Sequence, residues 1–321
     1  MTSSVCVIIA AYNAAKTIGP SVRSALAQRE VGEVVVVDDA STDGTGQAAT
    51  DAARGDSRLL VLRQPRNTGP SAARNHALAA TTMPYVAVLD ADDYFLPGRF
   101  AHLLSIPGWD LAADNIVFVP ENDPGVRRQS SQDEPVISDL TVENFVMGNL
   151  TQRSAQRGEL GFLKPIMRRS FLEENGLRYD PIMRLGEDYD FYVRALLKGA
   201  RFRLSHQIGY AARVRAGSLS GLHSTDDLGA LLAATEGHLV AAARSPRDQA
   251  AITAHQQQIR NRYLLRSFLD RKAEAGIGGA LRFALAAPAN MVPIMAGVAR
   301  DKMATLRRAP VIGPEGRALL G

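Results

Sequence analysis

The sequence predicts an α/β fold: a doubly wound, mostly parallel sheet followed by a helical extension. Three observations lead there. Between residues 5 and 89, short apolar runs rich in Val and Ile alternate with helical patterns. Runs without polar alternation suit strands covered on both faces, the habit of parallel sheets flanked by helices. Acids collect at the ends of these runs, in VVVVDD at 34–39 and YVAVLDADD at 85–93. Beyond Ser224 the strand signals stop and the chain becomes Ala-rich and helical.

Val5–Ala11 reads as a buried strand and Ala14–Ala27 as a helix. Val34–Val37 is a second strand. Ser41–Arg54 opens on Ser-Thr-Asp-Gly, a turn-and-cap cluster, and continues as a helix. Leu59–Leu62 is a third strand, and Gly69–Ser71 starts a helix that runs to about Ala80. Tyr85–Leu89 is the fourth strand. Leu111–Val119 follows as a strand, then Pro120–Pro135 as an exposed loop rich in Pro, Asp, Ser, Gln and Arg. Gly161–Arg168 is read as a strand, Ser170–Asn175 as a short helix and Glu187–Lys198 as a helix stopped by Gly199. Arg201–Leu204 and Gly209–Val214 are closing strands. Helices are expected over Asp226–Ala243, Arg247–Ala275, Gly278–Leu285 and Met291–Leu306. The domain division falls at 1–222 and 223–321, and there is no internal repeat.

Composition narrows the function classes. The 321 residues suffice for one large core plus an appendage. The only cysteine, Cys6, excludes an internal disulfide and a Cys-based zinc site, and fits a small core residue. The N-terminal MTSSVCVIIAAYN has no basic n-region and no long apolar h-region, so no signal peptide is expected. Ile277–Ala299 is interrupted by Arg282, Pro288, Asn290 and Pro293, which makes a poor membrane span. The net charge of +4 hides an asymmetry. Residues 244–321 carry 13 Lys and Arg against 5 Asp and Glu, net +8, and residues 1–243 are net −4. No basic patch interleaved with aromatics is present, so nucleic acid is not an expected partner.

The acids at strand ends carry the chemistry. Asp90, Asp92 and Asp93 crowd the tip of an apolar strand, where like charges repel and gain nothing structurally. Hard oxygen-liganded ions such as Mg²⁺ or Mn²⁺ use such a cluster, and so does a phosphorylated ligand held through the ion. In doubly wound sheets ligands bind beyond the carboxyl ends of the strands. Tyr12-Asn13, Asp38-Asp39 and Asp90–Asp93 all fall at such ends, and Glu187-Asp188 adds an acidic pair at a helix start.

The series VIIAAYNAAKTI, EVVVVDDASTDGT, NTGPSAARNHAL, YVAVLDADD and LGEDYDFYVRALLKGA resembles family 2 glycosyltransferases of the GT-A fold, over about residues 3–220. Within that family NTGPSAARN, FLKPIMRRSFLEENGLRYD and GEDYDFYVRAL resemble the enzymes that build rhizobial exopolysaccharides of the succinoglycan type. The resemblance implies a metal-dependent, inverting glycosyltransferase with a Rossmann-like nucleotide-sugar-binding sheet. Its donor would be a UDP-sugar, UDP-glucose first. Its acceptor would be a polyprenyl-diphosphate-linked oligosaccharide repeat unit, met from the cytoplasm at the inner face of the bacterial inner membrane.

The resemblance also assigns residues. Asp92 matches the metal-binding acid and Asp90 the acid near ribose and metal, with Mn²⁺ or Mg²⁺ as cofactor. Asp93 reads as a loop acid. Asp39 matches the acceptor of the uracil imide N–H, and Asp38 holds the loop. Ala11, Tyr12 and Asn13 line the base, and Arg74 closes over the nucleotide. Asp188 matches the general base, with Glu187 beside it; Asp190 reads as structural. Where some members carry a His, Tyr210–Ser218 offers Arg213 and Arg215, which points to arginine on the diphosphate; His223 is near enough in sequence to be considered. Sugar choice is expected from pocket shape around Asp114, the 120–135 loop and Gly161–Lys164. A Q-x-x-R-W signature is absent, which favours addition of one sugar over processive synthesis. Two alternatives stay open: a sugar-nucleotide pyrophosphorylase, whose Gly-rich first loop is missing from AAYNAAKTIG, and an inactive nucleotide-sugar-binding scaffold subunit. The mixed apolar and basic segment Ile277–Arg308 suits an anionic membrane surface, the catalytic domain or a homodimer contact.

Overall fold

The computed structural model describes residues 4–122, 136–150, 160–214, 224–304 and 316–320. The chain divides into two compact units: Met1–Phe145 with Glu159–Ala216 and Ile312–Gly321, and Val146–Gly158 with Gly217–Val311.

The first unit is built on one sheet. Its strands are β1 (Val5–Ala11), β2 (Val31–Asp38), β3 (Leu59–Arg63), β4 (Tyr85–Val88), β5 (Tyr94–Phe95), β6 (Leu111–Pro120), β7 (Ile137–Leu140), β8 (Ile166–Arg168), β9 (Phe202–Val214) and β10 (Arg317–Ala318). The order is β3-β2-β1-β4-β8-β6-β9-β5, with β10 beside β6 and β7 beside β9. β3, β2, β1 and β4 are parallel, as expected from uninterrupted runs such as Val5–Ile9 and Val34–Val37, which are fully buried or nearly so. Beyond β4 the sheet becomes mixed: β8 runs antiparallel to both β4 and β6, while β6 and β9 are parallel. The carboxyl ends of β1, β2, β4, β6 and β9 therefore share one edge. The chain leaves β1 toward β2 and β3, then crosses to β4 on its other side, so a switch point lies between Tyr12 and Asp90.

Helices α1 (Ile18–Leu26), α2 (Thr45–Ala53), α3 (Pro70–Ala80), α4 (Arg99–Ser105), α5 (Val142–Met147), α6 (Arg169–Glu174) and α7 (Glu187–Leu197) connect these strands. α1 steadies the chain after the acid cluster: Ser21 donates to the Asp93 carbonyl at 2.7 Å and Gln28 to that of Leu96 at 3.0 Å. Cys6 is fully buried and its thiol is pushed up to about 12 by burial, as suits a core residue.

Some elements differ from expectation. Gly161–Arg168 is not one strand: a 3-10 turn at Leu160–Phe162 precedes the short β8, with Pro165 between them. The two closing strands are one, β9, whose pairing with β6 slips around Asn115. The end of the expected helical extension returns to the first unit as β10. Gly316 makes that return at φ +79°, and a Cβ there would lie 2.8 Å from the Phe118 carbonyl oxygen. Residues 123–135 of the expected loop lie outside the described residues.

The second unit consists of α8 (Thr225–Ala241), α9 (Pro246–Leu285) and α10 (Pro288–Ala304). Ser224 and Asp227 form a capping box on α8, and Ser245 caps α9 ahead of Pro246. α9 breaks at Ala275 and Gly276, where the sequence separates two helices. Leu264, Ala284 and Ile294 pack with Tyr263, Phe268, Phe283 and Val298 between α9 and α10. Among the described residues, no helix is long and apolar enough to cross a membrane.

Candidate active site

The NTGPSAARN segment organises the shared carboxyl edge. The Thr68 and Gly69 N–H groups each donate to one Asp39 oxygen at 2.8 Å, joining the end of β2 to the start of α3. Pro70 opens α3, where its missing N–H costs nothing. The next residue, Ser71, donates to the Met183 carbonyl at 2.8 Å. Asn75 donates to the Tyr179 carbonyl and accepts from the Tyr179 N–H, at 2.8 and 2.9 Å. These bonds draw the segment before α7 onto α3. Arg74 lies between them and faces the acids.

Arg74 is a buried hub. Its guanidinium donates to Glu187 at 2.8 Å, Asp188 at 3.2 Å and Asp90 at 3.1 Å, and stacks over Tyr179 at 5.2 Å. At 4% exposure it is no surface residue. Lys164 completes the cluster, 3.0 Å from Asp90 and 2.6 Å from Asp188. The antiparallel register explains its arrival: Ala87 faces Ile166, so two residues further Lys164 comes level with Leu89, next to Asp90. Its backbone is pinned as well. Arg99 donates to the Lys164 carbonyl and pairs bidentately with Asp114 at 2.9–3.0 Å, both side chains essentially fully buried.

This pairing fixes Asp114, whose buried carboxylate is engaged by Arg99. Gly209 packs so closely that a Cβ there would overlap the Asp114 carboxylate. Neither Arg99 nor the bridging position of Lys164 was read from the sequence. The available signal was an acid inside the apolar run LAADNIVFV, which demands a buried cation without naming it.

Electrostatics follow from this packing. Burial disfavours charge on Asp90, but the Lys164 ammonium and Arg74 guanidinium outweigh it and hold its carboxyl below the usual range. Burial also opposes the charge of Lys164 and of Arg74, yet the acids around them keep both cationic more firmly than free side chains. Glu187 goes the other way: burial and the neighbouring Asp188 raise it despite Arg74. Asp93 is raised by burial and by the charges of Asp90 and Asp92. It accepts from the Tyr210 hydroxyl and the Arg213 N–H, both at 2.8 Å, and so fastens the acid-bearing turn to β9.

The other expected residues fall on the same edge. Ala11 is buried, and Tyr12 projects with 53% of its surface exposed. Asn13 and Ala40 both take positive φ, 49° and 61°, at the ends of β1 and β2. Such backbone is costly for non-glycine residues and gathers at functional sites. Asn13 accepts from the Thr42 N–H, and its own N–H donates to Ser41, so the two loops are cross-linked. Asp38 accepts from the Ser41 N–H at 2.8 Å, consistent with a loop-holding part. Arg213 stacks over Tyr94 at 4.8 Å and reaches the Asp92 carbonyl at 3.4 Å. Asp190 pairs with Arg194 one turn along α7. Arg215 and His223 lie outside the described residues.

Among the described residues, no group of three or more His, Cys, Asp or Glu is arranged to cage a metal ion. The donor set does fit a hard divalent ion shared with a ligand. Asp90 is one-third exposed and Asp92 is half-buried on the same turn, and Mg²⁺-type ions take one or two carboxylates plus phosphate oxygens. A depression of about 460 Å³ at the opposite end of β4 is lined by Thr82, Tyr85, Arg168 and Glu173 and holds no comparable set of acids.

Comparison with known proteins identifies the family. The succinoglycan biosynthesis protein ExoU of Rhizobium meliloti is 48% identical over 99% of this chain and 93% of its own length. ExoO of the same organism, also a succinoglycan biosynthesis protein, is 34% identical over 98% of this chain and 94% of its own length. The crystal structure of S. aureus TarS 1-349 in complex with UDP-GlcNAc superposes with a TM-score of 0.57 at 25% identity, covering 84% of this chain and 73% of that one. The fold is that of GT-A enzymes, and since the family model "Glycosyl transferase family 2" matches residues 6–171, the chain belongs to family 2 of the glycosyltransferases.

Proposed function

We propose that this enzyme transfers a single glucose from UDP-glucose, with inversion, to a lipid-linked repeat unit of a succinoglycan-type exopolysaccharide. The observation that carries the reading is the ring formed by Asp90, Lys164, Asp188 and Arg74 at the switch point of the sheet. Full-length similarity to ExoU and ExoO supports the exopolysaccharide, and the UDP-GlcNAc complex of TarS supports a uridine donor.

In this mechanism Tyr12 packs on the base, lined also by Ala11 and Asn13. Asp39 accepts the uracil imide N–H. Each of its oxygens already takes one backbone N–H, and a carboxylate has lone pairs for more. Asp38 holds the loop beneath. Arg74 and Arg213 meet the diphosphate. Asp92 and Asp90 would hold Mn²⁺ or Mg²⁺, which would neutralise charge growing on the departing diphosphate. Asp188 takes the proton of the acceptor hydroxyl as that oxygen attacks the anomeric carbon opposite the leaving group. Glu187 keeps Arg74 in line.

The second unit, and the division near residue 222, serve to bring the enzyme to its lipid-linked acceptor. Ile277, Leu281 and Leu285 recur every fourth residue on α9 and are exposed, as are Met291, Val292 and Met295 on α10. With Lys272 and Arg282 beside them, they suit the inner, anionic face of the cytoplasmic membrane.

The test incubates the protein with Mn²⁺, a panel of nucleotide sugars and a polyprenyl-diphosphate oligosaccharide. Glucose transfer from UDP-glucose, with a β-linked product from the α-linked donor, is expected. Binding of UDP-sugars with neither transfer nor donor hydrolysis would overturn this reading in favour of a scaffold subunit.

A further inference from the structure

Lys164 occupies an unusual position for a side chain beside a diphosphate-binding turn. Asp90 and Asp188 each present one oxygen to Arg74 and the other to Lys164, so the four side chains form a closed ring of ion pairs. Arg74 has a second anchor in Glu187, at 2.8 Å. Among the described residues Lys164 has no anchor of that kind, since both of its ion pairs are to the ring acids. Its main chain cannot withdraw, because the buried Arg99–Asp114 pair holds its carbonyl. Its ammonium, however, sits at the end of a flexible four-carbon stem and can swing about that fixed point.

We infer that Lys164 is an exchangeable plug that couples divalent-ion binding to diphosphate binding. The inference rests on the reading above, in which Asp90 and Asp92 hold the ion and Asp188 is the base. In the donor-free protein the ammonium covers the Asp90 oxygen a hard ion would need and the Asp188 oxygen an acceptor proton would need. An ion arriving alone must displace the ammonium into a site that is 6% exposed, with no new partner for its charge. An ion arriving with a diphosphate brings anionic oxygens on which the ammonium can settle. Lys164 then moves from the two carboxylates to the phosphates, and Asp188 is uncovered only once a donor is in place. Lys164 is thus a positioning residue whose effect appears in metal binding before any transfer.

Free Mn²⁺, followed by electron paramagnetic resonance in titrations of full-length protein with and without UDP, tests this directly. In the wild type, UDP is expected to tighten Mn²⁺ binding at least about thirtyfold. Lys164→Met keeps the apolar stem and removes the charge. It is expected to tighten Mn²⁺ binding without UDP by about tenfold or more and to leave Mn²⁺ binding with UDP present unchanged, so that the UDP effect shrinks by the same factor. Lys164→Met with unaltered Mn²⁺ affinity and an unaltered UDP effect overturns the inference. Should that variant not fold, the wild type alone decides: equal Mn²⁺ affinity with and without UDP overturns it too. The outcomes are separable from the parent reading. Wild-type protein that binds neither Mn²⁺ nor UDP defeats the functional assignment, whereas coupling undiminished by Lys164→Met defeats only the plug.

Discussion

Replacing Asp188 with Asn separates catalysis from binding. Asn keeps the size of the side chain and one acceptor oxygen but cannot take a proton. Loss of a positioned general base costs about 10²–10⁴ in rate, or about 3–5 kcal/mol of barrier. The stability cost is smaller. Removing one partner of a buried pair costs about 3–5 kcal/mol when a cation is stranded. Neither cation is stranded: Arg74 keeps Glu187 at 2.8 Å and Asp90 at 3.1 Å, and Lys164 keeps Asp90 at 3.0 Å. About 1–2 kcal/mol is therefore expected, seen as a modest fall in melting temperature with an unchanged circular dichroism spectrum. Donor affinity should change less than about tenfold, because Tyr12, Asp39, Asp90 and Asp92 are untouched. Calorimetry of UDP binding beside single-turnover transfer measures both. Collapse of donor affinity with undiminished transfer per bound donor would make Asp188 a binding residue and refute its role as base.

Asp92→Asn removes a charge that a hard ion needs and should abolish Mn²⁺-dependent UDP-sugar binding without unfolding the protein; full Mn²⁺-dependent turnover in this variant would remove Asp92 from the metal site. A chain ending at residue 315 loses β10 and with it both bonds between Leu320 and the buried Asn115 amide, so the catalytic unit should lose about 1–3 kcal/mol and melt earlier; an unchanged melt would show β10 to be dispensable. For the same reason deletion of residues 277–321 is a poor test of membrane binding. Leu281→Ser with Val292→Ser is cleaner: wild-type protein should float with anionic vesicles at low salt and less at high salt, and the double variant should not; a wild type that never floats removes the membrane reading and favours a dimer contact. His255, beside His238 and Arg262, is pushed down to about 4 by burial, with further contributions from those two charges. Its folded pKa is depressed, so the unfolded chain takes the proton first. Stability is whole above about pH 6.5 and falls by about 3 kcal/mol as pH drops to 4, and melts of His255→Gln should lose most of that slope if the histidine causes it.

The division between what the sequence disclosed and what it withheld is physical. Val5–Ala11, α3 and α7 were legible because their signals are local: an uninterrupted apolar run, Gly-Pro-Ser at a helix start, and a helix stopped by Gly199. The acids at strand ends were legible because the carboxyl edge of a doubly wound sheet gathers them without further information. β5 and β10 were not legible, since two residues cannot show a period of two. Lys164 and Arg99 are a deeper case. Lys164 meets Asp90 only because β8 is inserted antiparallel beside β4 in one register, and a shift of one residue would turn its side chain to the other face. Arg99 is chosen by the same register, since it holds the carbonyl of Lys164 while neutralising Asp114 on β6. Both cations are therefore set by pairings between segments more than 60 residues apart. No window along the chain contains that information. The acids announce the site, and the cations that control them are supplied by topology. Variants that disturb the β4–β8 register should therefore impair metal and donor binding even when every acidic residue is intact.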